Sequence, residues 1–258
     1  MPFLDHLEEL RWRIFKSLIA LVLFAIVSII FIDEIFAWLV KPYNDAVRIA
    51  IVENPQLNQQ ETPRLVFLNP TGGFMIYLKL AFSVGFIASL PIVFYQLWKF
   101  ISPGLLTNER RVAPLIVFFT TLCFLAGAAF CYFIVLKYGL SFLLSFQTAT
   151  LVPMISIEEY FGLVTTLILV FGLVFEMPVL AYFLTKLGLL TPEFLRQKRQ
   201  YGIVAIFIVA AVVTPSVDAF TQILLAVPLL VLYEISIWVS RIALPVQAKK
   251  AIGEVATN

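Results

Sequence analysis

Charge is the first thing this chain lacks. Aspartate, glutamate, lysine and arginine make up 13% of its residues and 61% are hydrophobic, whereas soluble domains carry about 25% charged and roughly 45–50% apolar residues. That much apolar surface exceeds what one soluble core can hide, so lipid must solvate most of it. Histidine is scarce too. His6 is the single one, which removes the raw material for metal sites and histidine-based triads. The two cysteines, Cys123 and Cys131, share one apolar run. Eight helical residues rise about 12 Å, beyond the ~7 Å Cα limit for a disulfide, so both are expected as small packing residues. No Gly-rich phosphate loop, GxSxG elbow or HExxH helix occurs, so neither an enzyme nor a cofactor or metal is expected. The net charge of +2 is too small to suggest nucleic acid. A cleavable leader is not expected, because the charged run Asp5–Arg13 opens the chain and no small-residue cleavage site follows the first apolar run.

What the chain has is long apolar runs. They predict an all-α integral membrane protein, a single six-helix membrane domain over 1–258. Residues 2–13 carry Phe3, Leu4, Leu7 and Leu10 at helical spacing and read as an amphipathic helix lying at the membrane surface. Spanning helices are expected at about 14–40, 73–98, 114–138, 160–187, 201–213 and 219–240, with a polar tail over 241–258. Asp33–Pro70, apart from the apolar extension Ile35–Val40, and Gly139–Glu159 are expected as outer loops. Gly127-Ala128-Ala129 reads as a close-packing patch. The last two helices are expected to be short. Tyr201–Val213 rises about 20 Å against a hydrocarbon core of about 30 Å, and the apolar part of the sixth segment ends at Tyr233. Such a hairpin thins the bilayer or draws water inward, unless flanks such as Ile235–Val239 make up the length. Six segments put both termini on one side. All lysines and arginines except Lys41, Arg48, Arg64, Lys79 and Lys137 fall on that side, which makes it cytoplasmic, with the loop Trp98–Pro114.

Three features bear on chemistry. Glu176 falls near mid-membrane, where a carboxyl is costly even when protonated. It is either an anchor for another helix or a passing chain, or a neutral acid bonded within its bundle to groups such as Gln96, Thr121, Thr165 or Gln222. Glu9 and Glu109 stand on separate pieces of chain at the cytoplasmic interface, and two separated carboxylates can each grip a guanidinium bidentately. The alternative is local pairing, Glu9 with Arg13 and Glu109 with Arg110 or Arg111. Asp218, in the outer turn 214–218, suits an N-cap of the sixth helix.

These stretches resemble one family. His6-Leu7-Glu8-Glu9-Leu10-Arg11-Trp12-Arg13 looks like an HLxELRxR motif. Phe100-Ile101-Ser102-Pro103-Gly104-Leu105, followed by Glu109-Arg110-Arg111, looks like FxxPGLxxxERR. Phe175-Glu176-Met177-Pro178 resembles FExP, and Thr214-Pro215, Asp218 and Gln222 resemble TPxxD…Q. In this order, along nearly the whole chain, they resemble the motifs of the TatC family, the multispanning subunit of the twin-arginine (Sec-independent) protein translocase. The resemblance implies a receptor for the twin-arginine signal peptides of folded cargo. It implies TatA- and TatB-type single-span partners, the proton-motive force as driver, and a homo-oligomer in the plasma (inner) membrane of a prokaryote. Glu9, Arg11, Phe100 and Glu109 match its signal-peptide site. Glu176 and Gln222 match its intramembrane polar and partner site, and Pro42 and Asp218 its sensitive outer-face positions. A small proton-coupled transporter using Glu176 is the alternative, and no inverted repeat supports it.

Overall fold

The structure, a computed structural model, describes residues 3–53, 64–101, 113–145, 154–213 and 219–244. Glu109, Asp218, the turn 214–218 and the tail from residue 245 lie outside the described residues. The chain divides into two compact units, 1–169 and 170–258.

In the first unit, α1 runs unbroken over Phe3–Ile30. No glycine or proline interrupts it, and its 28 residues extend about 42 Å. The separate surface helix expected over 2–13 is therefore the opening of α1, because nothing in the sequence ends a helix near residue 13. The helix expected over about 14–40 is two helices: α2 starts afresh and runs Ile32–Glu53, through residues expected as loop. Asp33 and Glu34 fill its first turn, where the helix dipole favours acids. Leu39, Tyr43, Ala46 and Ala50 are buried and recur at three- and four-residue spacing, an apolar stripe. Pro42, Asn44, Asp45 and Arg48 mask that stripe in a reading by hydropathy.

Next come α3 (Gly72–Ile101), α4 (Ala113–Phe130), a π-helical segment over Cys131–Val135 and α5 (Leu136–Ser145). α6 (Ile157–Val174) leads from the first unit into the second. Two short strands, β1 (Arg64–Val66) and β2 (Met154–Ser156), pair in parallel with Arg64 opposite Met154. Three-residue strands give no periodic signal, and none was expected. α1 packs along α3, and α2 along α5. A Cβ on Gly85 would lie 2.6 Å from the Ala25 backbone, so α1 and α3 meet backbone to backbone, as small residues permit in membranes. The expected patch at Gly127-Ala128-Ala129 behaves differently: Ala128 and Ala129 line a cavity. Cys123 and Cys131 are not joined by a disulfide.

The second unit holds α7 (Met177–Lys186), α8 (Pro192–Gln197), α9 (Arg199–Val213) and α10 (Ala219–Ala243). α10 packs on α7, α8 and α9. The single helix expected over 160–187 is broken at Phe175-Glu176, between α6 and α7. α7 ends at Lys186 and is followed two residues on by Gly188, whose φ of 71° suits a residue without Cβ. α9 is short, with 15 residues. α10 is not: it has 25 residues, because the helix continues past Tyr233 through Glu234, which is ion-paired. Among the described residues, five stretches are long and apolar enough to cross a membrane: His6–Ile30, Gly72–Phe100, Pro114–Ser145, Ile157–Lys186 and Ala219–Ala243. α9 is a shorter apolar helix.

Candidate functional site

α1 begins where α3 ends. The His6 ring stacks on Phe100, with centroids 4.3 Å apart and planes inclined by 15°. Glu9 follows one turn later, its carboxylate 3.9 Å from His6 Nδ1. Arg13, a further turn on, donates from Nη2 to Glu9 Oε1. Glu9 and Phe100 thus share one cluster, with His6 between them, and the local pair of Glu9 with Arg13 is formed. Its side chains are only 28% and 12% exposed, so the pair is partly shielded from water. A groove of about 270 Å³ continues from Arg13 between α1 and α3, with Ser17 and Gln96 among apolar side chains. Sequence reasoning set His6 and Arg13 in the motif without giving them a place in the site. Their three- and four-residue spacing from Glu9 was the available signal.

Arg11 is not in that cluster. It lies two residues from Glu9, about 200° around the helix. It is exposed and lines a separate shallow groove with Trp12, Phe15 and Leu18.

Pro42 has a structural consequence that sequence reasoning missed. Proline has no N–H, so the carbonyl four residues earlier, that of Trp38, loses its helical donor. Tyr132, in the π-helical segment, donates its hydroxyl to Trp38 O at 2.7 Å. Its ring stacks on the Trp38 indole at 3.9 Å. The Tyr160 hydroxyl donates to the next carbonyl, Leu39 O, at 2.7 Å. Both tyrosines are buried. Burial also pushes the Tyr43 phenol up to about 12, so that neighbour of Pro42 stays neutral. A π turn re-aims side chains relative to the helix before it, which accounts for Tyr132 reaching α2 from the α4–α5 junction. Beside this contact opens an apolar cavity of about 580 Å³, lined by Trp38, Tyr132, Ala128, Ala129, Glu34 and Thr165 among others.

In the second unit, Glu176 is 3% exposed and caps the start of α7 in a helical conformation. Pro178 supplies no N–H for Val174 O, α6 ends there, and the chain turns through Glu176 N–H to Leu173 O at 3.1 Å. The break puts the carboxyl at a helix junction inside an apolar bundle. Gln222, on α10, donates to Phe207 O of α9 at 3.2 Å, tying the last two helices together. Buried Thr185 and Ser240 share a hydrogen bond of 2.6 Å between α7 and α10. Arg199 Nη2 donates to Glu234 Oε2 at 2.5 Å, and the Tyr233 hydroxyl donates to Leu195 O.

Fold and site define a polytopic α-helical membrane protein with an ion-paired carboxylate at one helix start and a buried carboxyl at a helix break. The family model described as TatC, Sec-independent protein translocase protein, matches residues 5–228. The chain is 38% identical over 245 residues to the Sec-independent protein translocase protein TatC of Aquifex aeolicus (strain VF5), covering 94% of this chain and 96% of that protein. It is 35% identical over 244 residues to TatCy of Bacillus subtilis (strain 168), covering 94% and 90%. It is similar to a crystal structure of the twin arginine translocase receptor TatC, with a TM-score of 0.78 and 38% identity, covering 92% of this chain and 99% of that one. The chain belongs to the TatC family.

Proposed function

We propose that this protein is the receptor for twin-arginine signal peptides and the core subunit of a translocase that exports folded proteins, driven by the proton-motive force. The observation that carries the reading is the Glu9 carboxylate, held beside the His6–Phe100 stack and already bonded to a guanidinium. Glu9 and Glu109 each capture one arginine of the signal at the cytoplasmic face. The apolar part of the signal then enters the membrane near Glu176, the buried carboxyl at the α6–α7 break. TatA- and TatB-type single-span helices, and further copies of this chain, gather around α9 and α10, with Glu176 and Gln222 as the polar partner site; Pro42 and Asp218 are outer-face positions on which export depends. In this reading the chain forms one six-span domain in the inner membrane of a prokaryote, with both termini cytoplasmic and no covalent chemistry. Arg11 contributes to signal-peptide binding from the other face of α1.

The test is binding of a labelled Arg-Arg signal peptide, against its Lys-Lys counterpart, to the purified chain in detergent. Hydrogen bonds to charged groups are worth about 1.5–3 kcal/mol. Glu9→Ala or Glu109→Ala should therefore weaken Arg-Arg binding by about ten- to a hundredfold, and leave a generic apolar helix unaffected. Equal loss for both ligands would sink the carboxylate role. The buried Glu176 also suits a small proton-coupled transporter, which predicts solute uptake by the chain alone in liposomes.

A further inference from the structure

We infer that Arg13 is an internal stand-in for the ligand's arginine: it occupies Glu9 in the empty receptor and has to leave before a signal guanidinium binds there. This rests on the reading of Glu9 as a guanidinium acceptor. Four residues apart on α1, the two side chains share a face, and Nη2 of Arg13 reaches Glu9 Oε1. The same carboxylate oxygen cannot hold two guanidinium forks in full geometry. Arg13 is a poor permanent partner. A guanidinium carries five donors in a planar fork, and the buried Arg13 Nε has no hydrogen-bond partner among the described residues. A place to move to lies beside it. The groove that Arg13 lines also holds the Gln96 amide and the Ser17 hydroxyl. Arg11 cannot play this part, because it faces away from Glu9.

A tied acceptor lowers apparent affinity by the ratio of tied to open states, and it does so for every ligand that needs Glu9. Well-fitted signals bind in spite of that factor. Weakly basic membrane-surface segments fall below useful occupancy. Arg13 thereby sets a threshold for recognition without touching the ligand, which makes it a positioning residue.

The experiment measures Kd of the labelled Arg-Arg peptide for the full chain in detergent with Arg13→Gln, Arg13→Lys, Glu9→Gln and the Arg13→Gln/Glu9→Gln double variant. Thermal melting checks that each is folded. A partly shielded i,i+4 ion pair predicts about fivefold tighter binding in Arg13→Gln. Arg13→Lys, which keeps the charge but loses the fork, should gain less. An apolar helix without charges should gain nothing. In the Glu9→Gln background the gain should vanish. Persistence of the gain there would mean simple charge repulsion by Arg13 and would overturn the inference. Weaker or unchanged binding in folded Arg13→Gln would overturn it as well. If Glu9→Gln itself leaves Arg-Arg binding intact, the underlying receptor reading of Glu9 fails, which is a separate result.

Discussion

Two prolines, one in each unit, break the same rule and end differently. Pro42 sits inside α2, and the helix runs on through it. Pro178 sits just inside α7, and the helix before it stops. Each removes the N–H that the carbonyl four residues back would have used. At Pro42 a tertiary donor replaces it, the Tyr132 hydroxyl on Trp38 O. At Pro178 the chain gives up the helix at Val174 and restarts at Met177. Pro91 and Pro228 also sit inside continuous helices; what marks Pro42 is that a buried side chain of another helix supplies the donor that Trp38 O has lost. The difference explains why Trp38, four residues before Pro42, is tied to a tyrosine 94 residues away, while the Pro178 break leaves Glu176 at a junction.

The sharpest way to break this comparison is Tyr132→Phe. It keeps the ring and removes only the donor to Trp38 O. Hydrogen bonds between membrane helices average about 0.6 kcal/mol and reach about 1.7. The expected loss lies at the upper end, because Trp38 O has no helical donor to fall back on. Tyr160→Phe should cost less, since Leu39 O keeps the Tyr43 N–H in the ordinary helical position. Adding Pro42→Ala to Tyr132→Phe should recover most of the loss, because alanine restores the N–H. The measurement is reversible unfolding in mixed detergent micelles. No cost in Tyr132→Phe, or no rescue by Pro42→Ala, would mean that the proline and the tyrosine are not coupled.

Pro178→Ala is the matching change in the second unit, and its effect on stability should be smaller. Proline near a helix start is favoured by its fixed φ, and losing that entropic advantage costs about 0.4–1 kcal/mol. Alanine also lets α6 and α7 join, which reorients Glu176. Export of a twin-arginine cargo should therefore fall more than the unfolding free energy does. A stability loss as large as that of Tyr132→Phe, with export intact, would reverse the contrast between the two prolines.

How much of this was legible in the sequence follows from the same contrast. Run length and hydropathy announced α1, α3 and α4, since a long apolar run has one outcome in lipid. The Glu9–Arg13 pair was readable from its four-residue spacing. α2 was not, because Pro42, Asn44, Asp45 and Arg48 interrupt its apolar stripe, and its continuity depends on Tyr132 and Tyr160, far along the chain. Nor could the sequence tell that the helix runs on through Pro42 and restarts at Pro178, since the donor to Trp38 O comes from Tyr132, far along the chain. The carboxyls Glu109 and Asp218 were readable only through their motifs, and they lie outside the described residues. The extent of α10 depended on a partner as well, since Glu234 continues the helix with Arg199 beside it.

That last pair sets the baseline for the two prolines. Arg199 and Glu234 meet at 2.5 Å with side chains 50% and 43% exposed. Neither side chain is buried in the protein, and exposed pairs of this kind are worth about 0.2–1 kcal/mol. Arg199→Ala should therefore shift unfolding by about 0.3 kcal/mol, the smallest of the changes considered, and high salt should shrink the difference further. Tyr132→Phe, which removes a neutral bond at a buried side chain, should show no such salt dependence. If Arg199→Ala cost as much as Tyr132→Phe, short distance would matter more than burial in holding these helices. The carbonyl left by Pro42 would then be an ordinary contact, and Tyr132 would owe its position to the Trp38 stack instead.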